Sequence, residues 1–137
     1  MFGAVELRML WASIALGLVQ LSAAMIAGLV SGRLAWNLGA RDTEGPQLGK
    51  FAARIERAWQ NYLETFPVFA AVVLLAAALN KHNATTALGA ELYFYSRVAH
   101  LPIYAIGTPV LRTVIWTVSL VGIILVLLGA WPGNFLG

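Results

Sequence analysis

The chain has no cysteine and few charges, and both shortages exclude kinds of chemistry. Without cysteine it cannot supply a thiolate nucleophile, a disulfide or a thiolate metal site, so any thiol must come from a ligand. Its two histidines, His82 and His100, stand alone without a carboxylate at metal-ligand spacing, and we predict no zinc or iron site. Glycine-rich phosphate loops, Gly-x-Ser-x-Gly elbows and Glu-x-x-His pairs are missing from the sequence as well.

Charged residues make up 11% of the chain and hydrophobic residues 60%, a composition typical of a membrane protein. Residues 9–32 and 113–137 carry no charge, and each run is long enough for the approximately 20 residues of a spanning helix. The first run exceeds the apolar core of about 7–15 residues found in secretory signals, so we expect a retained helix. The sequence predicts an all-α membrane protein, residues 1–137 forming one domain of four transmembrane helices at about 5–32, 50–80, 84–106 and 109–133.

Basic residues flanking the helices predict the orientation. The first connection and the start of helix 2 are rich in them, whereas the turn between helices 2 and 3 has only Lys81. The positive-inside rule therefore places the 33–50 loop and the turn near Arg112 in the cytoplasm, with both termini on the opposite side. In a bacterium the membrane would be the inner (plasma) membrane. Because topology accounts for the net charge of +3, and no basic stripe has interleaved aromatics, we predict no nucleic-acid partner.

Helix 2 begins with a polar face that runs into an apolar segment. At about 100° per residue, four of its side chains fall within roughly a quarter turn of one helix face. They are Arg54, Arg57, Asn61 and Glu64. Charged groups at membrane depth usually face the bundle interior or a cavity and mark a functional site. The simpler alternatives are arginines that reach lipid phosphates, and an interhelical polar clamp of Asn61 and Glu64 with Arg54 or Arg57.

Helix 3 carries a second polar stripe, because its spacings of four, three and four keep the residues on one side. The stripe consists of Tyr93, Arg97, His100 and Tyr104, and Arg112 follows near the start of helix 4. Both stripes can meet at one membrane depth, where they would suit a small, multiply charged anion that also has an ammonium group. If they stood alone, we would interpret the tyrosines as an interfacial belt and His100 as an interior residue.

Together these residues resemble a known family. The pattern Arg57-Ala-x-x-Asn61-x-x-Glu64-x-x-Pro67-x-Phe69, then Arg97-x-x-His100-x-x-x-Tyr104 and Arg112, is similar to the MAPEG family, the membrane-associated proteins of eicosanoid and glutathione metabolism. The 36–42 loop and the 64–67 run look most like its bacterial branch, related to microsomal glutathione transferases.

The resemblance implies a homotrimer of four-helix protomers that binds glutathione, as a co-substrate, between subunits near the cytoplasmic face. It assigns glutathione binding to helix 2 and helix 3 positions that match Arg57, Asn61, Glu64, His100 and Tyr104. Arg54 and Arg97, on the same two polar stripes, are further candidate ligand-binding residues. The helix 4 base, Arg112, would stabilise the thiolate, and Asp42 in the first loop would be a possible acid–base group. Alternatively, Asp42 and Arg41 belong to a merely solvated connection.

The implied activity is that of a glutathione transferase or peroxidase acting on an apolar small molecule or a lipid hydroperoxide from the bilayer, without a metal. The family's prostaglandin synthases have Ser after the helix 4 Arg, whereas this chain has Thr113, which puts eicosanoid chemistry in doubt. A non-catalytic bundle that binds lipid or a thiol is an alternative. A small multidrug exporter is a weaker one, because such a transporter needs a carboxylate deep in helix 1 and residues 9–32 are uncharged.

Overall fold

The computed structural model describes residues 4–32, 36, 38–40, 49–106 and 108–133, without the side chains of residues 104 and 105. The described residues form four long helices and no strand, which confirms the all-α prediction. The helices are α1 (Val5–Val30), α2 (Lys50–Ala78), α3 (Ala84–Ile106) and α4 (Pro109–Gly129). At about 1.5 Å per residue, each is long enough for a hydrocarbon core of about 30 Å.

Three helices end earlier than their hydrophobic runs suggested, because local backbone signals stop them. After α1, Gly32 has a φ of 84° and its N–H donates to the carbonyl of Leu29. After α2, Asn80 has a φ of 55°, and the N–H of Lys81 closes back on Ala76 at 2.8 Å. Such left-handed caps satisfy the last carbonyls of a helix.

Composition separates α3 from the other helices. By length and hydropathy, α1, α2 and α4 qualify as membrane spans, whereas α3 is more polar. Three of its polar residues point into the bundle: Thr86, Arg97 and His100 are at most 2% exposed. Since α3 also contacts each of the other three helices, it brings polar groups to the centre of an apolar assembly.

The closest helix crossing joins α3 to α4 at two glycines. A Cβ atom added to Gly89 would lie 2.5 Å from the carbonyl oxygen of Gly122, and one added to Gly122 would lie 2.6 Å from that of Gly89. Only residues without a side chain permit such an approach, which is a common way for helices to pack in membranes. The two backbones therefore touch directly.

The core beside this crossing is apolar. Phe69 of α2 stacks on Tyr93 of α3 with ring centroids 3.9 Å apart, among buried residues that include Val73, Ala90 and Val126. Farther along α3, towards the start of α4, the buried residues become polar. The packing between α2 and α3 thus has an apolar part around Phe69 and a polar half towards the start of α4.

A buried carboxylate joins α1 to the start of α3. Glu6 is 1% exposed and accepts a short hydrogen bond from the hydroxyl of Thr86, and its other oxygen lies 3.2 Å from Nδ1 of His82. Thr86 also accepts the N–H of Asn83, whose side chain in turn caps the N–H of Thr86, so the two form a capping box. The expectation that His82 stands alone is therefore wrong: its carboxylate partner lies 76 residues away in sequence.

We expect Thr86→Val to lower the stability of the protein by about 1.5–3 kcal/mol, the usual worth of a hydrogen bond to a charged group. Valine keeps the shape of threonine but leaves a buried carboxylate oxygen of Glu6 without its donor. Thr86→Ser keeps the hydroxyl and is the matched control. Thermal unfolding in mild detergent, followed by circular dichroism, measures both variants; equal losses in the two would contradict the role given to the hydroxyl.

Candidate functional site

The polar half of the bundle is built around a buried arginine. Arg97 of α3 is 1% exposed, and its Nη2 donates to Oδ1 of Asn61 on α2 at 2.8 Å. Its Cζ lies 5.4 Å from the centre of the Tyr62 ring, within the range of a cation–π contact. Its Nε and Nη1 are buried and form no hydrogen bond among the described residues. Two donor nitrogens of a buried cation are thus left to another partner.

No carboxylate in the described part of the chain forms an ion pair with Arg97. Glu64 acts on it electrostatically, but its carboxylate is exposed and makes no direct contact with the guanidinium. A buried charge without a partner is strongly unfavourable, because burial removes its hydration without replacing it. The site is therefore electrostatically suited to an anion.

A cavity of about 280 Å³ opens between α2, α3 and α4 beside Asn61, the hydrogen-bond partner of this arginine. It is lined by Asn61, His100, Arg112, Thr113 and Trp116. Nε1 of Trp116 is buried and makes no hydrogen bond with a described residue, whereas the hydroxyl of Thr113 donates to the carbonyl of Pro109 at 3.0 Å. The cavity walls thus combine a cation, an amide, an imidazole and an indole N–H donor.

Two hydrogen bonds fix the register of α2 against α3. Thr65 and Tyr93 join their hydroxyls at 3.1 Å, and Asn61 binds Arg97 at 2.8 Å. On each helix the two residues are four positions apart, which is about one turn. Because the helices run in opposite directions, the pairs form consecutive rungs. The Thr65–Tyr93 pair is part of the core, and it holds the Asn61–Arg97 pair in place.

Tyr62 anchors the same region to α1. Its hydroxyl donates a short hydrogen bond to the carbonyl of Ser13, and its ring stacks on those of Trp59 and Phe66. A Cβ atom added to Gly17 would lie 3.1 Å from Cε1 of Tyr62, so the ring needs a glycine at this place in α1. Tyr62 is therefore held from both sides and offers a rigid face to Arg97.

The structure brings together some of the residues predicted to bind a ligand. Asn61 and Arg97 are bonded, and Asn61, His100 and Arg112 line one cavity. Arg57 and Glu64 are exposed and do not line the cavity, and Arg54 is half-buried at the beginning of α2. Tyr104 belongs to α3, but its side chain lies outside the described residues, as does Asp42 altogether.

Sequence reasoning missed three features of the site. Its possible interhelical clamp paired Asn61 with Arg54 or Arg57, whereas Asn61 binds Arg97 on the neighbouring helix. Tyr62 and Trp116 were also overlooked, since an aromatic residue in an apolar segment usually indicates packing. The only available signal was spacing: Tyr62 follows Asn61, and Trp116 lies one turn after Arg112.

The described residues include no cluster of three side chains from His, Cys, Asp and Glu that could hold a metal ion. Comparison with individual proteins gave no match, either among curated proteins or among solved structures. Comparison with family models did give one: the MAPEG family model matches residues 9–131, which is most of the sequence and covers most of α1 and all of the other three helices. The chain therefore belongs to the MAPEG family.

Proposed function

We propose that this membrane protein binds glutathione at the Asn61–Arg97 pair and the adjoining cavity, and reacts its thiolate with an apolar acceptor. The observation that carries the proposal is Arg97, a buried guanidinium with two nitrogens that bond no described residue, held by an amide that lines the cavity. A polar group left without a partner in a buried place is rare in proteins unless a ligand supplies one. Family membership makes glutathione the natural candidate.

Glutathione matches the charges of the site. At neutral pH it carries two carboxylates and one ammonium group. Hydrogen bonds from a guanidinium to a carboxylate are charge-assisted and therefore strong, and the Nε and Nη1 atoms of Arg97 bond no described residue. Glu64 follows Asn61 by about one turn and would meet the ammonium group. Arg54, Arg57, His100 and Tyr104 would complete the binding site, and Asp42 would act as an acid or base.

Arg112 would activate the thiol. The thiolate is the nucleophile, and a cation within hydrogen-bond reach lowers the pKa of a thiol. In conjugation, the thiolate sulfur bonds to an electrophilic carbon and displaces its leaving group. In peroxide reduction, the sulfur attacks the terminal oxygen, the O–O bond breaks, and the alkoxide takes a proton. The resulting sulfenic acid condenses with a second glutathione to give a disulfide and water.

The acceptor would arrive from the bilayer. An apolar cleft of about 280 Å³ opens between α1, α2 and α3, and its wall includes Ile55, Leu101 and Pro102. Since Leu101 directly follows His100, the cleft and the cavity lie on adjoining parts of α3. An apolar molecule could therefore approach without crossing water, which suits an electrophile or a hydroperoxide dissolved in lipid.

We also propose a homotrimer with the ligand between neighbouring protomers and the 33–50 loop in the cytoplasm. The exposure of Arg57 and Glu64 in one protomer supports this assembly, because charged groups at the membrane need a polar neighbour. Cytoplasmic glutathione would then enter from the side on which the basic residues lie.

The sharpest test of ligand binding is Arg97→Met. Loss of two charge-assisted hydrogen bonds should weaken glutathione binding by at least 1.5–3 kcal/mol, roughly tenfold to more than a hundredfold. The free protein should unfold at the same temperature as the parent or higher, because an uncompensated buried charge is replaced by an apolar side chain of similar length. Titration calorimetry and thermal unfolding in the same detergent measure the two effects.

Lys81→Met is the matched control, since it removes a cation at the opposite end of the bundle and should leave binding unchanged. A purely structural arginine predicts the reverse pattern for Arg97→Met, namely lower stability with the affinity of the folded fraction intact. That pattern would reject the ligand site.

A further inference from the structure

The outer surface between α3 and α4 contains a groove of about 350 Å³ with one carboxylate in an otherwise nearly apolar wall. Glu91 supplies the carboxylate, beside Leu88, Tyr95, Ile115 and Val118. It is exposed and makes no hydrogen bond or ion pair with any described residue. Seven residues separate it from the start of α3, so it lies about 10 Å along the helix, at a depth where a lone charge is unfavourable.

A cation that also lacks a partner among the described residues lies on the outer face of α1. Arg8 is exposed, and its side chain has no partner among the described residues. Two residues correspond to about 200° of helix rotation, so Arg8 points away from the buried Glu6. Trp11 follows on the same outer face and is 73% exposed. This face of α1 thus carries an unpaired guanidinium followed by an indole.

The depths of these two surfaces can be compared through the Glu6–Thr86 hydrogen bond. It places residue 6 of α1 level with residue 86 of α3, and the two helices run in the same direction. Arg8 is then level with Leu88 and Trp11 with Glu91, so Arg8 and Glu91 differ in depth by about 4–5 Å. A second copy related by an axis along the membrane normal keeps each of these depths.

We propose that the outer face of α1 from a second copy packs into the α3–α4 groove, with its Arg8 paired to Glu91 and its Trp11 filling the groove. The proposal rests on the assembly proposed above and specifies which surfaces form it. Each protomer offers a groove and an α1 face on different sides, which is the head-to-tail arrangement that closes into a ring. Lipid in the groove would leave both charges uncompensated in hydrocarbon, whereas a second copy neutralises them together.

Disulfide cross-linking tests the pairing directly, since the chain has no cysteine of its own. Arg8→Cys and Glu91→Cys are made in separate, differently tagged chains, co-expressed and oxidised in the membrane. We expect a covalent dimer that carries both tags, and little product from either variant alone. Arg8→Cys with Val98→Cys is the control, because Val98 is exposed on the same side of α3 but two turns deeper, and this pair should not react.

Charge reversal provides a second readout. Arg8→Glu or Glu91→Arg alone should shift the native mass in mild detergent towards smaller species, and the double variant should restore the parent mass. An oligomer of parental mass without the mixed cross-link would overturn this interface and leave the assembly itself standing. A monomer in every sample would overturn both.

If lipid or a lipophilic cation occupies the α3–α4 groove instead of a second copy, the experiments give other results, and each of these contradicts the proposal. A lipid-facing groove predicts no mixed cross-link and a native mass unaffected by Glu91→Gln. A site for a lipophilic cation predicts binding of tetraphenylphosphonium that is lost in Glu91→Gln, again without a cross-link.

Discussion

Gly122→Leu is expected to abolish the folded protein, and Gly122→Ala to destabilise it by at least about 1–3 kcal/mol. Even the single Cβ atom of alanine would lie 2.6 Å from the carbonyl oxygen of Gly89 and 2.8 Å from the backbone nitrogen of Tyr93. Because both are backbone atoms, no side chain can rotate away and α4 must separate from α3. The variant should also lose ligand binding, since Tyr93 lies one turn before Arg97.

Gly49→Ala is the control for this effect. A Cβ atom there meets nothing within 4 Å, so the change causes no clash and should cost at most about 1 kcal/mol, through the weaker preference for alanine at the N-cap of α2. Size-exclusion chromatography reports the folded yield, and thermal unfolding reports the stability. If Gly122→Ala unfolds no earlier than Gly49→Ala, α3 and α4 do not touch at this crossing.

Arg112→Ala is expected to remove most of the thiolate formed by bound glutathione, with a smaller effect on binding. Arg112 lines the cavity with Asn61 and His100, where a cation would meet the sulfur. Lowering a thiol pKa by two units corresponds to about 2.7 kcal/mol, so loss of the cation should reduce the thiolate-to-thiol ratio about a hundredfold. Ultraviolet absorbance of the thiolate measures this, and turnover should fall with it.

Two comparisons sharpen the result. Arg112→Lys should retain part of the thiolate, because the charge survives although the planar group is lost. Lys81→Met should behave as the parent. If Arg112→Ala forms thiolate like the parent, another group activates the sulfur, and Arg57 or Tyr104 becomes the candidate. If neither the parent protein nor any variant forms thiolate, the protein binds the thiol without activating it.

The sequence predicted the four helices because each hydrophobic run is long and its breaks are marked by charged and turn-forming residues. It also placed Arg97 and His100 on one inward face, since helical spacing alone determines which residues of a helix share a side. Contacts between helices were harder to predict. That Asn61 meets Arg97 depends on how far α2 slides along α3, which the bond between Thr65 and Tyr93 helps to fix.

Glu6 illustrates a different limit of prediction from sequence. An acidic residue near the start of an apolar helix usually indicates the membrane surface, and nothing close in sequence suggests that this one is 1% exposed. Its partners, His82 and Thr86, follow the whole of α2 in the sequence. Local pattern therefore identifies which residues are unusual, whereas only the fold shows what they contact.

The Glu6–Thr86 bond also bears on the order in which the chain is built. Its two residues are 80 positions apart, and synthesis at about 5–20 residues per second separates their arrival by roughly 4–16 s. During that interval α1 has been synthesised, but Thr86, whose hydroxyl donates to the carboxylate of Glu6, has not. Helix α1 can contact Tyr62 of α2 during this time, but the acidic group at its start stays unsatisfied until α3 has emerged. The first helix to be translated is thus fixed in place by one of the later ones.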